Sequence, residues 1–365
     1  MMDWWALPGP AHFVAKAVEN LRDGNNLILP TPARGVSELA ETLRRSLEDE
    51  GWRVVGPFDD EEENPIDQLY GWVEICDSED MRRSVGHLRG RLEPGQVIIV
   101  QGVRGDRWGA WWHFMTEYEV ASRVVAKLVR PLIVIVVAGV PLASFPERSV
   151  ALLTAPWQDV VGELDILLHV RETMRIKRYD GGKEKLLSRI VAKLALWDFE
   201  LAEYLAGIDE RRLFDPVVAL SDAAKALGRT DELAATWESG GKIKFDGIEL
   251  EHPMLLLRHA AGHGMLVERL WQAQAGELLP LLEIGRRYWV QRMRPMVRLP
   301  ICLNGANCSD LDELEIGQLA YVARSQGMKN TIQQATEKLR RYRNKLAHME
   351  VLEHSAAFDP DLRGR

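Results

Sequence analysis

Asn25-Asn26-Leu27-Ile28-Leu29-Pro30-Thr31-Pro32-Ala33-Arg34-Gly35-Val36-Ser37 decides how the first half of this chain folds. Residues 25–29 form a short apolar strand, and the loop from Pro30 to Ser37 leads into a helical run over 38–47. A second strand then occupies 52–55. Strand, loop, helix, strand is the opening of an α/β unit with a parallel sheet.

Working outward, residues 7–21 make a first helix opened by Pro-Gly-Pro, 96–100 a further strand and 132–137 the next core strand. The stretch 149–170, with Trp157 and Asp165, closes this domain, which spans 1–170. The longest apolar run, 132–140, carries Gly139 and flanking prolines. It is shorter than the ~18 to 20 residues needed to cross a bilayer and reads as a buried strand, so no membrane association is expected.

The loop after the first strand has the length of a phosphate-binding GxxxxGK[ST] motif. Pro30 stands at its first glycine, Gly35 at its second, Val36 at its lysine and Ser37 at its magnesium-binding hydroxyl. Valine offers the β- and γ-phosphates no charge, and the strand 96–100 ends at Gln101-Gly102 where an acid would hold the metal. The first half thus resembles a P-loop domain of the STAND or AAA type that has lost its catalytic residues, an inactive STAND domain. That resemblance implies degenerate nucleotide-binding residues Gly35 and Ser37, nucleotide binding at most, and no active NTPase. An unrelated parallel α/β domain fits the same pattern.

A chain of 365 residues, 46% hydrophobic and 27% charged, is globular and long enough for two or three domains. The N-terminus MMDWWALPGP lacks a basic stretch followed by an apolar core, so no secretory signal is expected. Cys76, Cys302 and Cys308 give an odd count with no CxxC pair, which points to a reduced, cytoplasmic setting. The net charge of −8 is unevenly spread. Between Glu48 and Asp80 thirteen acids face Arg53 alone, while between Arg286 and Lys345 twelve bases face five acids. The basic block is what a phosphate-contacting surface requires, although a solvated helix face produces the same pattern.

From Arg171 the texture is helical, with runs over 184–205 and 216–227. Residues 171–252 read as a helical spacer carrying a hairpin around Asp246-Gly247, winged-helix-like in outline. Helices over 253–276, 280–294, 311–325 and 330–353 then form an all-α domain, 253–356, followed by a frayed tail at 357–365. The fold class expected is therefore α/β plus all-α.

Within the last helix, Ile332, Ala335, Leu339, Tyr342, Leu346 and Met349 repeat at the spacing of one buried stripe. Arg343-Asn344-Lys345-Leu346-Ala347-His348 lies across it. At 100° per residue Asn344 and His348 share a face, and Arg343 lies on the other side of Asn344, nearer the stripe. An imidazole that moves protons near neutral pH and a guanidinium that holds phosphate suit phosphodiester cleavage without a metal. This segment resembles the RNxxAH signature of HEPN domains. The resemblance implies Arg343, Asn344 and His348 as catalytic residues, RNA as substrate and a homodimer with a composite site. A surface helix with a solvated His348 is the plainer alternative.

Glu283 and Arg286 sit three apart on the helix expected over 280–294. They pair with each other or orient the motif residues from outside. His259 and His263 have zinc-protease spacing, but Ala260, Ala261 and Gly262 between them offer no general base, so no metal site is expected. Cys302 and Cys308 read as structural, and Trp108, Trp111 and Trp112 as core or as a partner patch. Together these readings describe a bacterial conflict or phage-defence protein: an inactive P-loop sensor or scaffold joined to a HEPN ribonuclease, with a partner protein from the same locus. A non-enzymatic adaptor with a silent HEPN fold is the second reading.

Overall fold

The computed structural model describes residues 3–34, 36–61, 63–74, 83–145, 149–229, 233–303 and 305–363. Along the chain run α1 (Pro8–Arg22), β1 (Asn26–Thr31), α2 (Leu39–Asp49), β2 (Arg53–Asp59), α3 (Pro65–Trp72), α4 (Val85–Arg91), β3 (Gln96–Val103), α5 (Gly105–Ser122), β4 (Leu132–Ala138), β5 (Leu152–Thr154) and α6 (Glu163–Ile176). There follow α7 (Gly181–Ala195), α8 (Phe199–Gly207), α9 (Pro216–Ala226), the hairpin β6 (Lys242–Phe245) and β7 (Ile248–Glu251), and α10 (Pro253–Leu256). The chain continues through α11 (Ala260–Met293), a second hairpin of β8 (Ile301–Leu303) and β9 (Ala306–Cys308), α12 (Ile316–Ser325), α13 (Asn330–Ala347) and α14 (His354–Ala357). The protein is mixed α/β with one parallel sheet and many helices. Among the described residues no helix is long and apolar enough to cross a membrane.

The chain divides into two compact units, one of Met1–His169, Trp197–Phe199 and Asp231–Leu255, the other of Val170–Leu196, Glu200–Thr230 and Leu256–Arg365. The β6–β7 hairpin, read from sequence as part of a spacer, belongs to the first unit. Its turn is the one expected, with Asp246 and Gly247 both at positive φ.

In the first unit the five strands lie in the order β2-β3-β4-β1-β5, all parallel. Leu27, Ile28 and Leu29 of β1 pair with β4 and are fully buried, as are Val97 to Val100 of β3. Such strands are covered on both faces, which is why they read as unbroken apolar runs rather than alternating ones. Asn26 is the exception. Its buried amide donates to the Ala151 carbonyl and accepts from the Ile133 N–H, tying together the two strands that flank β1. Trp108 and Trp111 of α5 are buried in the core on one face of the sheet, so they fill the interior rather than present a patch.

The second unit is built around α11, which packs against α7, α9, α12 and α13. Several boundaries differ from the sequence reading. The expected helix 184–205 is broken where Leu196 takes a φ of 54°. The expected pair 253–276 and 280–294 is instead one helix of 34 residues that runs through Pro280. Proline costs a helix interior about 3 kcal/mol, but Leu270, Leu278, Leu282 and Val290 are buried on either side of it and hold the helix together.

The motif helix stops at Ala347 rather than at 353, because Met349 adopts a φ of 60°, and Met349 is consequently 54% exposed instead of joining the stripe. As far as residue 362 the tail is packed rather than frayed. Leu362 and Ala357 are buried, the Tyr342 hydroxyl donates to Asp359 at 2.8 Å, and Lys338 donates to Asp361 at 3.0 Å.

Candidate functional site

The loop after β1 emerges at the carboxyl end of the sheet, where ligands of open α/β folds bind. Ser37 is exposed and Val36 half-buried, while Gly35 lies outside the described residues. A phosphate cradle needs backbone N–H groups directed at the anion. Here the Ala33 N–H donates instead to the Glu238 carbonyl at 2.7 Å. Gly240 closes over the same loop, where a β-carbon would stand 3.2 Å from the Arg34 carbonyl oxygen.

Sequence reasoning found no acid at the end of β3, but the neighbouring strand supplies one. Gln101 donates its amide to Asp59 at 3.0 Å across the β2–β3 pair. The side chain of the next residue, Asp60, is buried and accepts from Arg107, from the Trp111 indole at 2.8 Å and from the Gln68 amide at 3.0 Å. The signal for such an arrangement is a register between strands, which spacing along one strand does not reveal.

In the second unit, α11 and α13 pack together and bring Glu283, Arg286 and Arg343 around one pocket of about 340 Å³, with Leu282, Leu314 and Glu315. Arg286 is held firmly. It donates twice to Glu283, at 2.9 and 2.7 Å, and to the carbonyls of Asp312 and Leu314 at 3.1 and 3.0 Å. The Arg286 bonds keep the Glu283 carboxyl below its ordinary range despite partial burial, with Arg287 adding to the effect. Reciprocally, Glu283 raises the Arg286 guanidinium. Arg343 is held far more loosely, reaching Glu315 at only 3.8 Å from an exposed position.

His348 is not among the residues lining that pocket. It caps the C-terminus of α13, with its N–H on the Asn344 carbonyl at 3.0 Å. His348 is exposed and Asn344 half-buried. Among the described residues neither side chain has a hydrogen-bond partner. Five residues at 100° each set Arg343 about 140° around the helix from His348.

The cations that share the His348 face are Arg341 and Lys345, both exposed and, among the described residues, without a salt bridge. The sequence reading counted them only within the basic block, although their spacing of four and then three is the signal that places them on this face. Much of the remaining basic block is already compensated: Arg287 by Glu283, Arg294 by Asp310 and Asp312, Arg340 by Glu337, and Lys338 by Asp359 and Asp361.

His259 and His263 serve structure. The His259 ring accepts from the Gly262 N–H at 2.9 Å and caps α11, and the His263 ring meets the Leu257 carbonyl at 3.1 Å. Cys302 is an exposed free thiol and Cys308 a buried one, while Cys76 lies outside the described residues. Among the described residues no group of three or more side chains is arranged to hold a metal ion. Compared with models of known families, with curated proteins and with solved structures, the chain finds no match.

Proposed function

We propose that the second unit is a metal-independent endoribonuclease of the HEPN kind, acting in bacterial conflict or phage defence. The first unit then serves as a sensor or scaffold that does not hydrolyse nucleotide. The observation that carries this reading is His348. It is an exposed imidazole with no side-chain partner, it ends a helix that bears Arg343 and Asn344, and it shares its face with the exposed cations Arg341 and Lys345.

In this chemistry the RNA 2′-hydroxyl attacks the adjacent phosphorus, and the 5′-oxygen of the next nucleotide departs. His348 takes or returns the proton, and a guanidinium offsets the charge that develops on the phosphorane. Because Arg343 and His348 point to different sides of one helix, the reading includes a homodimer in which a second copy completes the site. The turning of Arg343 toward Glu315 favours the other reading, a non-enzymatic adaptor that dimerises or recruits a partner protein from its locus.

The deciding experiment incubates the full chain with single-stranded RNA in the presence of chelator. Cleavage leaving 2′,3′-cyclic phosphate ends, lost on His348→Ala with the helix content unchanged, is the expected result. Removing an acid–base group costs ~10² to 10⁴-fold in rate. No cleavage by the wild type, together with unchanged biological activity of His348→Ala, would establish the adaptor instead.

A further inference from the structure

We infer that Trp271 and Gln274, two residues of α11, hold His348 in place and are positioning residues for it. This rests on the ribonuclease reading for its functional consequence, but not for its geometry. A helix C-terminus leaves its last carbonyls without intrahelical partners. At the end of α13 one of these is met from outside, by the Trp271 indole N–H, which donates to the Leu346 carbonyl at 2.7 Å.

One turn further along α11, Gln274 is fully buried and engages a single residue twice. Its amide donates to the Leu352 carbonyl at 2.9 Å, and its oxygen accepts from the Leu352 N–H at 2.7 Å. Residues three apart on a helix lie on one face, so the two side chains grip the chain on either side of His348, at positions 346 and 352. Between those anchors the backbone makes its turn, with Met349 at positive φ and the Glu350 N–H on the Lys345 carbonyl at 2.9 Å.

The imidazole has no partner of its own among the described residues, so its place is set by the backbone that carries it. An amide side chain offers side by side the donor and acceptor that the carbonyl and N–H of Leu352 need. A leucine or methionine at 274 would fill the same space and fix nothing. Phenylalanine at 271 would likewise keep the ring and lose the N–H.

The test compares Trp271→Phe and Gln274→Met with the wild type and His348→Ala in the full chain. Single-stranded RNA cleavage is measured alongside the nuclear magnetic resonance signal of the His348 ring, assigned by its loss in His348→Ala. Each positioning variant is expected to lower kcat by about 10- to 100-fold, the effect of a misplaced catalytic group, with KM little changed. The single His348 signal should split or broaden in both. If His348→Ala abolishes cleavage while both variants keep wild-type kcat and a sharp signal, the inference is overturned and the ribonuclease reading stands. If the wild type does not cleave RNA, that reading falls and the ring signal alone decides whether the two residues fix His348. Should Gln274→Met fail to fold, Trp271→Phe decides.

Discussion

The Ala33 N–H donates to the Glu238 carbonyl at 2.7 Å, so the loop leaving the first strand of the sheet is tied to a segment far along the chain. One donor of the loop that a phosphate would draw on is thereby engaged within the protein. Val36 compounds this, because the position that would carry a lysine is uncharged.

The first expected outcome is that ATP and GTP are not turned over. Phosphate release from the full chain should not exceed the buffer rate, with or without magnesium. Release that saturates with nucleotide and disappears on Ser37→Ala would show that the loop does chemistry after all.

Asp60 anchors the carboxyl end of β2 from a side chain only 2% exposed, held by Arg107, Trp111 and Gln68. Replacing it with alanine leaves buried donors unmet and strands a partly buried guanidinium. Loss of one partner of such a pair costs about 3 to 5 kcal/mol. Asp60→Ala should therefore lower the urea midpoint sharply. Arg107→Ala should lower it as well, since it leaves the Asp60 carboxyl, only 2% exposed, with the Trp111 and Gln68 donors alone. Equal midpoints for Asp60→Ala and wild type would mean that the network contributes nothing to stability.

The parallel sheet was legible because each central strand is a continuous run of branched apolar residues, as in Leu27-Ile28-Leu29 and Leu132 to Val137. Helix ends were less so. Proline at 280 looked like a start, yet the buried residues on both sides carry α11 through it. The end of α13 comes where Met349 turns to positive φ, with Leu346 and Leu352 bonded to Trp271 and Gln274 of another helix, contacts that no local pattern encodes. For the candidate site, spacing placed Glu283 and Arg286 beside each other. That Arg343 shares their pocket while His348 does not depends on how α11 meets α13.

The Tyr342–Asp359 hydrogen bond predicts a pH signature for the C-terminal segment. Burial, reinforced by the Asp359 carboxylate, pushes the Tyr342 phenol up to about 12. A tyrosine raised above its unfolded value near 10 contributes stability that is full below that value and is lost as pH climbs toward 12. Burial alone would raise the Asp359 carboxyl, but bonds from the Asp361 N–H, Tyr342 and Lys338 outweigh it and hold the group low. Its contribution is present above the ordinary range near 4 and is lost as pH falls through the lowered value. The measurement is absorbance titration of the phenols, comparing wild type with Tyr342→Phe. The difference curve should have its midpoint near 12 rather than 10. A midpoint at the ordinary value would mean that the tail does not close over Tyr342.

Arg341 and Lys345 should contribute to RNA binding and Arg287 should not, because Glu283 already compensates Arg287. Each lost phosphate contact on a single strand lowers the slope of log affinity against log salt by about 0.7. Titrations of single-stranded RNA at several salt concentrations should show that reduction for Arg341→Ala and for Lys345→Ala. The same slope for all three alanine variants would remove the basis for assigning this face to phosphate.

The arrangement of Arg343 and His348 on different sides of α13 makes the last prediction, that the two groups meet only between copies of the chain. A chain of 41.4 kDa should then scatter light as a dimer at tens of micromolar, where a specific interface of ordinary affinity is populated. Arg343→Ala and His348→Ala should each be inactive alone. In a two-fold dimer, however, each site takes one residue from each copy. Mixing the two inactive variants in equal amounts and allowing subunits to exchange pairs half of the chains heterotypically, and one of the two sites in each such dimer is intact. About a quarter of wild-type cleavage should return, a value that follows from random pairing in a symmetric dimer. Recovery requires exchange, so a mixture held below the dissociation time should stay inactive and then gain activity on incubation. A stable dimer in which exchange is demonstrated but no activity returns would mean that Arg343 and His348 do not divide one site between two chains.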